Sequence, residues 1–112
     1  MSENTGLATG KEIYSIHELR SIVAPIAMRH NVQSVYLFGS YARGSATGKS
    51  DVDLCVDAPQ LKGMFALGAL YADLEEALQK KLDLITTSSL KYNTDGQFIE
   101  NIRKDRVLLY EQ

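Results

Sequence analysis

One stretch of sequence, Ser34–Asp57, decides the fold, and it reads SVYLFGSYARGSATGKSDVDLCVD. After Ser34, the next four residues are β-branched, apolar or aromatic, so the five predict a buried strand that ends at Gly39. Residues Asp51–Asp57 alternate polar and apolar side chains, which predicts a second strand with one apolar face. We expect a short helix over Ser40–Arg43 and a flexible loop over Gly44–Ser50. A connection of this length allows the two strands to run in either relative direction.

A helix is predicted before this stretch. Ser15 followed by Glu18 forms a capping box, and apolar residues then recur on one helical face. Pro25 predicts a kink, or a division into two short helices, because proline has no N–H to donate. The pair His30-Asn31 suits a helix end, with the asparagine in a left-handed cap.

Further helices and strands are predicted after it. Leu61–Lys80 has leucines at helical spacing and predicts a long amphipathic helix, and Leu82–Thr86 predicts a third strand. We expect a loop at 87–89, a last helix over Asp95–Lys104 and a short edge strand over Val107–Tyr110. The predicted fold is an α/β (α+β) domain, in which helices flank a small mixed sheet of three or four strands.

Composition limits the class of protein. The chain has 112 residues and a formal charge of −2 from 12 Lys+Arg and 14 Asp+Glu, which argues against sequence-independent binding to nucleic acid. The one cysteine, Cys55, excludes a disulfide framework, and no apolar run is long enough for a membrane span. Residues 1–11 are polar with two glycines, so we expect a flexible N-terminal arm, no secretory signal and a cytoplasmic location. Residues 12–112 are expected to form one domain.

Two aspartates on the second strand suggest a metal site. Asp51 and Asp53 are two residues apart, which places them on the same face of a strand, roughly 6.5–7 Å apart along it. Two such carboxylates repel each other unless a cation lies between them. Mg²⁺ is bound by one or two carboxylates together with substrate phosphate oxygens. The alternative is a strand with one solvent-exposed face.

Two neighbouring features fit the same chemistry. Gly39 lets a ligand approach the backbone closely, and Ser40 stands where a helix N-terminus would present donors to an anion. The alternative is an ordinary strand-to-helix turn.

Asp83 is an acid within an apolar strand, so it either faces solvent at a sheet edge or joins the other two acids.

These features together carry a resemblance. Gly39-Ser40, ten further residues and then Asp51-x-Asp53 is similar to the signature of the DNA polymerase beta-like nucleotidyltransferase superfamily. The longer stretches Phe38–Gly44 and Ser50–Leu54 resemble the minimal nucleotidyltransferases (MNT), which are commonly antitoxins beside HEPN-domain toxins. The resemblance runs from about residue 15 to Glu111 and identifies 12–112 as an MNT domain with the polymerase beta-like fold.

The resemblance implies a set of site residues. The family holds two Mg²⁺ ions on three acids, which correspond here to the catalytic and metal-binding candidates Asp51, Asp53 and Asp83. It implies ATP as the substrate. The nucleotide-binding candidates are Gly39, Ser40, Arg43, Lys49 and Ser50. The alternative for Arg43 and Lys49 is that they are solvated charges of a loop.

The acceptor is expected to be a protein. The nucleotide-binding unit takes up the chain and leaves no separate substrate domain, and the family suggests transfer of AMP to a tyrosine of a HEPN ribonuclease toxin. We expect a hetero-oligomer with a toxin dimer. The alternatives are an antitoxin that only masks the toxin and a nucleotidyltransferase acting on a small molecule such as an aminoglycoside. A non-catalytic nucleotide sensor would be expected to lack one of the three acids, and all three are present in this sequence.

Overall fold

The computed structural model describes residues 13–90 and 95–112, so the predicted arm at 1–11 lies outside the described residues. In chain order the elements are α1 (Ile16–Arg29), β1 (Ser34–Phe38), α2 (Gly39–Arg43), β2 (Val52–Asp57), α3 (Gly63–Leu78), β3 (Leu82–Thr86), α4 (Thr87–Leu90), α5 (Gly96–Asp105) and β4 (Val107–Glu111). Among the described helices, none combines the length and the apolar character that crossing a membrane requires.

The four strands form one mixed sheet in the order β3-β2-β1-β4, which confirms the predicted fold class. β1 is antiparallel to both β2 and β4, whereas β2 and β3 are parallel and are joined through α3. The direction that the sequence left open between β1 and β2 is therefore antiparallel. As a result β1 ends at the edge of the sheet where β2 and β3 begin.

The two faces of the sheet are covered differently. The first face, covered by α1 and α3, carries the larger apolar core. The main strand and helix residues of this core are Leu19, Val23, Ile26, Val35, Leu37, Val52, Leu54, Val56, Leu70, Leu74, Leu78 and Leu82. The second face carries a smaller cluster of Phe38, Cys55 and Ile102, against which α4 and α5 place Leu90 and Phe98. Side chains alternate along a strand, so each strand contributes to both faces.

Helix α1 starts as predicted but is not broken. The Ser15 hydroxyl accepts from the Glu18 N–H at 3.0 Å, and the Glu18 carboxylate accepts from the Ser15 N–H at 2.8 Å. The predicted division at Pro25 is wrong, because α1 runs through it to Arg29, whereas the kink stays a prediction. Buried Val23 and Ile26 pack on either side of Pro25 and hold the helix on the first face. Asn31 adopts the predicted left-handed conformation, with φ of 60°.

The predicted loop at 87–89 is also wrong, since these residues lie in the one-turn helix α4. Side chains of the TTSS sequence close this turn locally. The Ser89 N–H donates to Thr86 Oγ1 at 3.1 Å, and the Ser89 hydroxyl donates to the Thr86 carbonyl at 2.8 Å. Leu90 then reaches the second-face cluster. Serine and threonine side chains commonly form such local turns, and the apolar pattern does not report them.

Candidate active site

The strand register brings two of the three aspartates side by side. Asp53 on β2 pairs with Asp83 on β3 in the parallel register, so the two residues are direct neighbours on the second face. Asp51 immediately precedes β2 at the same edge of the sheet. Asp51 and Asp83 are exposed, and Asp53 is half-buried. The two alternatives that the sequence left for Asp83 are both met, since it is exposed on the edge strand β3 and also lies beside Asp53.

The three carboxylates influence one another. The pKa of Asp53 is raised from 3.8 to about 6, first by burial and then by the negative charges of Asp83 and Asp51. The positive charge of Arg43 acts in the opposite direction. Burial and like charges both disfavour an ionised carboxyl group, so this edge of the sheet concentrates negative charge that the protein offsets only in part.

Gly39 lies directly against Asp53. Phe38 pairs with Asp53 in the β1–β2 register, and α2 begins at the next residue. A Cβ atom on Gly39 would lie 2.9 Å from the carboxyl carbon of Asp53 and closer still to its Oδ2. Gly39 also has φ of +74°, in the left-handed region that favours glycine. Backbone conformation and close approach both require glycine where the turn meets the acids.

The other nucleotide-binding candidates surround this turn. Ser40 is the second residue of α2, and Arg43, its last residue, is exposed. The Arg43 guanidinium lies 3.6 Å from Asp105 of α5. Lys49 is exposed and Ser50 half-buried in the loop before Asp51, where the Ser50 hydroxyl accepts from the Thr47 N–H at 2.8 Å. The structure thus brings Arg43 toward the acids and leaves Lys49 and Ser50 in the loop that leads to them.

Sequence reasoning missed the contribution of α5. Asp105 holds Arg43 across 62 positions of the chain, and Phe98 packs on Phe38 with ring centroids 6.4 Å apart. Neither contact has a signal in local spacing, because both depend on where α5 docks on the second face. The amphipathic pattern predicted the helix itself but not the site residues on it.

A metal ion would need ligands besides the protein. Across residues 13–90 and 95–112, no three acidic, histidine or cysteine side chains are arranged to hold one ion by themselves. Magnesium does not require such a cage, because it is bound by one or two carboxylates and keeps its other positions for water and phosphate oxygens. Burial first, and then the negative charges of Asp83 and Asp51, raise the pKa of Asp53, and a cation would offset the contribution of those charges. The donor set therefore fits magnesium bound together with a phosphate substrate.

A larger cavity lies at the other end of the sheet. Its volume is about 350 Å³, and its walls include Asp57 and Thr86 at the ends of β2 and β3 with Leu61 and Leu67. Asp57 is four residues beyond Asp53, roughly 13 Å along an extended strand. This cavity is therefore separate from the three acids, and the acids rather than this cavity mark the candidate active site.

Comparisons with known proteins identify the family of the chain. The family described as polymerase beta, nucleotidyltransferase matches residues 21–112. A provisionally named protein adenylyltransferase of Methanocaldococcus jannaschii is 35% identical over 94 residues, which are 84% of this chain and 91% of that protein. The protein adenylyltransferase MntA of Thermococcus cleftensis is 35% identical over 81 residues, covering 69% of this chain and 82% of that protein.

The fold matches chains of solved toxin–antitoxin structures. One is a crystal structure of a toxin–antitoxin with AMP-PNP, with a TM-score of 0.67 at 23% identity over 83% of this chain and 73% of that chain. Another is a tri-AMPylated Shewanella oneidensis HEPN toxin in complex with MNT antitoxin, with a TM-score of 0.62 at 20% identity over 87% of this chain and 73% of that chain. The family match and the two relatives confirm the family resemblance, which the sequence analysis had inferred from the Gly39–Asp53 stretch. The chain belongs to the polymerase beta nucleotidyltransferase family of enzymes.

Proposed function

We propose that this protein is an antitoxin that transfers AMP from ATP to a tyrosine hydroxyl of a partner HEPN ribonuclease toxin. The observation that carries the proposal is the convergence of Asp51, Asp53 and Asp83 at one edge of the sheet, against the backbone of Gly39. Phosphoryl transfer requires little covalent chemistry from a protein, and most of its catalysis comes from positioning and charge neutralisation. A cluster of acids beside a glycine turn would supply the positioning, and the cations that the acids would hold would supply the charge neutralisation.

The turn would bind the phosphates. Gly39 has no side chain to keep a phosphate away from the backbone, and the hydroxyl of Ser40 would donate to a phosphate oxygen. Arg43 would add a positive charge beside the outgoing pyrophosphate, which is the group that gains negative charge as it leaves. Lys49 and Ser50, in the loop that enters β2, would approach the nucleotide from the side of Asp51.

The three acids would hold two Mg²⁺ ions together with the triphosphate. When bound, the ions would neutralise the phosphates and favour deprotonation of the acceptor hydroxyl. The tyrosine oxygen would form a bond to the α-phosphorus while the bond from that phosphorus to pyrophosphate breaks, and pyrophosphate would leave. Asp83, which is exposed at the start of β3, would receive the phenolic proton or serve as a ligand of the second metal ion. Asp53, half-buried against Gly39, is the less accessible of the two.

The protein acceptor is suggested by the relatives. Two proteins with 35% identity are named as protein adenylyltransferases, one of them provisionally. A structure with the same fold is an MNT antitoxin in complex with an AMPylated HEPN toxin. By analogy, we infer that this chain assembles with a dimer of its toxin and that AMP on the toxin blocks the ribonuclease.

The test uses the HEPN protein encoded by the neighbouring gene. The folded toxin is incubated with this chain, ATP and Mg²⁺, and its intact mass and tyrosine-containing peptides are measured. We expect a mass increase of one or more AMP units on tyrosine and a parallel loss of ribonuclease activity. The double variant Asp51→Asn with Asp53→Asn should still bind the toxin but leave it unmodified and active.

Asp57→Asn is the matched control, because Asp57 lies on the same strand and the same face but at the opposite edge of the sheet. This variant should modify the toxin at the wild-type rate. An unmodified toxin that the double variant still neutralises would establish masking instead and would contradict the proposal.

A further inference from the structure

The strand that carries Asp83 is paired on one side. The sheet order is β3-β2-β1-β4, so β3 bonds to β2, and no strand of residues 13–90 and 95–112 lies on its other side. We call that outer side the lateral edge of β3. A strand at the edge of a sheet presents N–H and C=O groups to which a further strand can bond. Asp83 is the second residue of β3, so the lateral edge begins at the candidate active site.

Backbone hydrogen bonds show which residues of β3 face the lateral edge. The Val52 N–H donates to the Lys81 carbonyl at 3.0 Å, and the register partner of Val52 is Leu82. The backbone groups of successive strand residues point to alternate sides, so those of Leu82 and Leu84 point away from β2. A bond from outside the ladder agrees with this, since the Tyr71 hydroxyl donates to the Leu82 carbonyl at 3.4 Å.

Leu84 is the residue of the lateral edge at which a further strand can bond twice. The Leu82 carbonyl is engaged by Tyr71, and the Thr86 carbonyl accepts from the Ser89 hydroxyl at 2.8 Å. Within the described part of the chain, the outward N–H and C=O of Leu84 have no partner. A residue with both groups available can exchange two hydrogen bonds with one residue of an added antiparallel strand.

The order of the strands gives the direction from which the acceptor would arrive. Neighbouring strands are about 4.8 Å apart. β1 leads into Gly39, where the pyrophosphate is expected, β2 carries Asp53, and β3 carries Asp83. In phosphoryl transfer the attacking and leaving oxygens lie roughly in line on opposite sides of the phosphorus. With the leaving group on the side of β1, the acceptor hydroxyl would approach from the side of β3, across its lateral edge.

We propose that the acceptor segment of the toxin docks as an extended strand on the lateral edge of β3, with its tyrosine beside Asp83. This docking rests on the proposed AMP transfer and adds to it the surface that receives the protein substrate. Backbone bonds to an edge strand are a common way for a protein to bind an extended segment, and the side chains then give specificity.

The register at Leu84 defines the chemistry of that segment. The residue bonded to Leu84 would have its two neighbours beside Asp83 and Ile85, on the second face. Ile85 packs against the second-face cluster and is half-buried. The toxin segment should therefore carry an apolar side chain two positions from its acceptor tyrosine.

Like charge argues against a second copy of this chain as the occupant. Two copies paired antiparallel about Leu84 would bring Asp83 of each copy close to the acids of the other. Like charges on neighbouring strands destabilise their pairing. A tyrosine is neutral before it reacts, so it adds no negative charge to this end of the sheet.

Leu84→Pro tests the lateral edge, because proline removes the outward N–H and leaves the bonds between β3 and β2 in place. We expect AMP transfer to the toxin to fall at least roughly tenfold, since an added strand would lose a hydrogen bond and meet the proline ring. The affinity for ATP with Mg²⁺, measured by isothermal titration, should equal that of the wild type. Thermal melting establishes that the variant is folded.

Leu108→Pro is the matched control. Leu108 lies on β4, the strand at the other edge of the sheet, and its carbonyl accepts from Arg20 Nε at 3.1 Å. It therefore receives the same substitution on an edge strand far from the acids. This variant should modify the toxin at the wild-type rate.

Amide hydrogen exchange gives a second measurement that requires no substitution on β3. The double variant Asp51→Asn with Asp53→Asn is expected to bind the toxin without modifying it, so its complex keeps the acceptor in place. We expect exchange of the Leu84 N–H, followed by NMR, to slow at least roughly tenfold when the toxin is added, because the group becomes hydrogen-bonded.

Several outcomes would overturn the docking. It is wrong if folded Leu84→Pro modifies the toxin at the wild-type rate, if its ATP affinity falls in parallel, or if Leu108→Pro slows transfer equally. It is also wrong if the Leu84 N–H exchanges equally fast with and without the toxin. Protection that grows with the concentration of this chain alone would assign the lateral edge to a second copy. A wild-type chain that leaves the toxin unmodified would overturn the proposed function, whereas AMP transfer that is insensitive to Leu84→Pro would overturn the strand addition alone.

Discussion

The two faces of β2 show how one strand serves stability and chemistry at the same time. Val52, Leu54 and Val56 point to the first face and are completely buried under α1 and α3. Asp53 and Asp57 point to the second face, where both keep contact with solvent. The apolar face contributes the favourable burial of the fold. The acidic face gathers like charges whose repulsion opposes folding, and the sheet tolerates them because the other face is well packed.

The largest expected effect tests the first face. Leu54→Ala should lower the free energy of unfolding by about 2–5 kcal/mol, because it removes buried methyl groups and leaves a cavity. Cys55→Ala, at the next residue but on the second face, should cost only about 1 kcal/mol. Urea denaturation followed by circular dichroism measures both. Equal losses for the two variants would show that the faces do not differ in stability as we describe.

The next effect tests the contact between the turn and the acids. Gly39 and Gly44 have nearly the same φ, +74° and +78°, but only Gly39 has a neighbour, Asp53, where a Cβ would be placed. Gly44→Ala should cost about 1–2 kcal/mol from the left-handed backbone alone. Gly39→Ala should cost at least about 1 kcal/mol more, because the new methyl group displaces the Asp53 carboxyl group.

A double-mutant cycle makes the origin of that difference measurable. Gly39→Ala combined with Asp53→Ala should be less destabilised than the sum of the two single variants, since the clash is then removed. The matched pair Gly44→Ala with Asp53→Ala should be additive. Additivity in both pairs would show that Gly39 is required for its backbone conformation only.

A smaller effect concerns the charge on the second face. The pKa of Asp53 in the folded protein is about 6, above its ordinary value of 3.8, so the folded state binds a proton more tightly than the unfolded state between these pH values. Stability of the metal-free protein should therefore fall as the pH rises from about 4 to about 6. Asp53→Asn should remove this dependence and raise the melting temperature at pH 7, measured in EDTA.

The neighbouring acids provide the control for this pH dependence. Asp83 and Asp51 both raise the pKa of Asp53 by their negative charge, and the effect of Asp83 is the larger. Asp83→Asn removes that charge. It should move the loss of stability to lower pH without abolishing it. A profile identical to that of the wild type would mean that Asp83 and Asp53 do not interact.

The smallest effect concerns the helices that cover the first face. His30 at the end of α1 lies 2.6 Å from Asp73 of α3, with Arg29 at 3.6 Å, and the hydrogen bond from His30 holds the pKa of Asp73 below its ordinary value. Asp73→Asn should lower the urea midpoint slightly at pH 7. The difference from wild type should shrink as the pH falls below the ordinary value of 3.8 and vanish below the lowered pKa of the folded protein, where the wild-type carboxyl group is protonated too. High salt should also reduce it, and a difference that persists in acid would assign the effect to packing.

The sequence by itself determined the strands, most of the helices and the chemical character of the site. Alternation along Asp51–Asp57 and the helical spacing of leucines over Leu61–Lys80 are physical signals that a chain must carry to bury one face. The glycine-serine turn and the D-x-D pair were identifiable for a similar reason, since their spacing is local. The helical turn at 87–89 escaped prediction, because side-chain hydrogen bonds override local preference there. The sequence also did not decide between a kink and a division at Pro25, and packing keeps α1 in one piece.

Only the tertiary structure decided which distant residues share the site. The parallel pairing of β2 with β3 places Asp83 beside Asp53, and the docking of α5 places Asp105 beside Arg43 and Phe98 against Phe38. Each of these contacts joins segments at least 30 residues apart. Register and docking are set by the packing of the whole chain, and a local sequence pattern contains no information about which neighbour a solvent-facing side chain will meet.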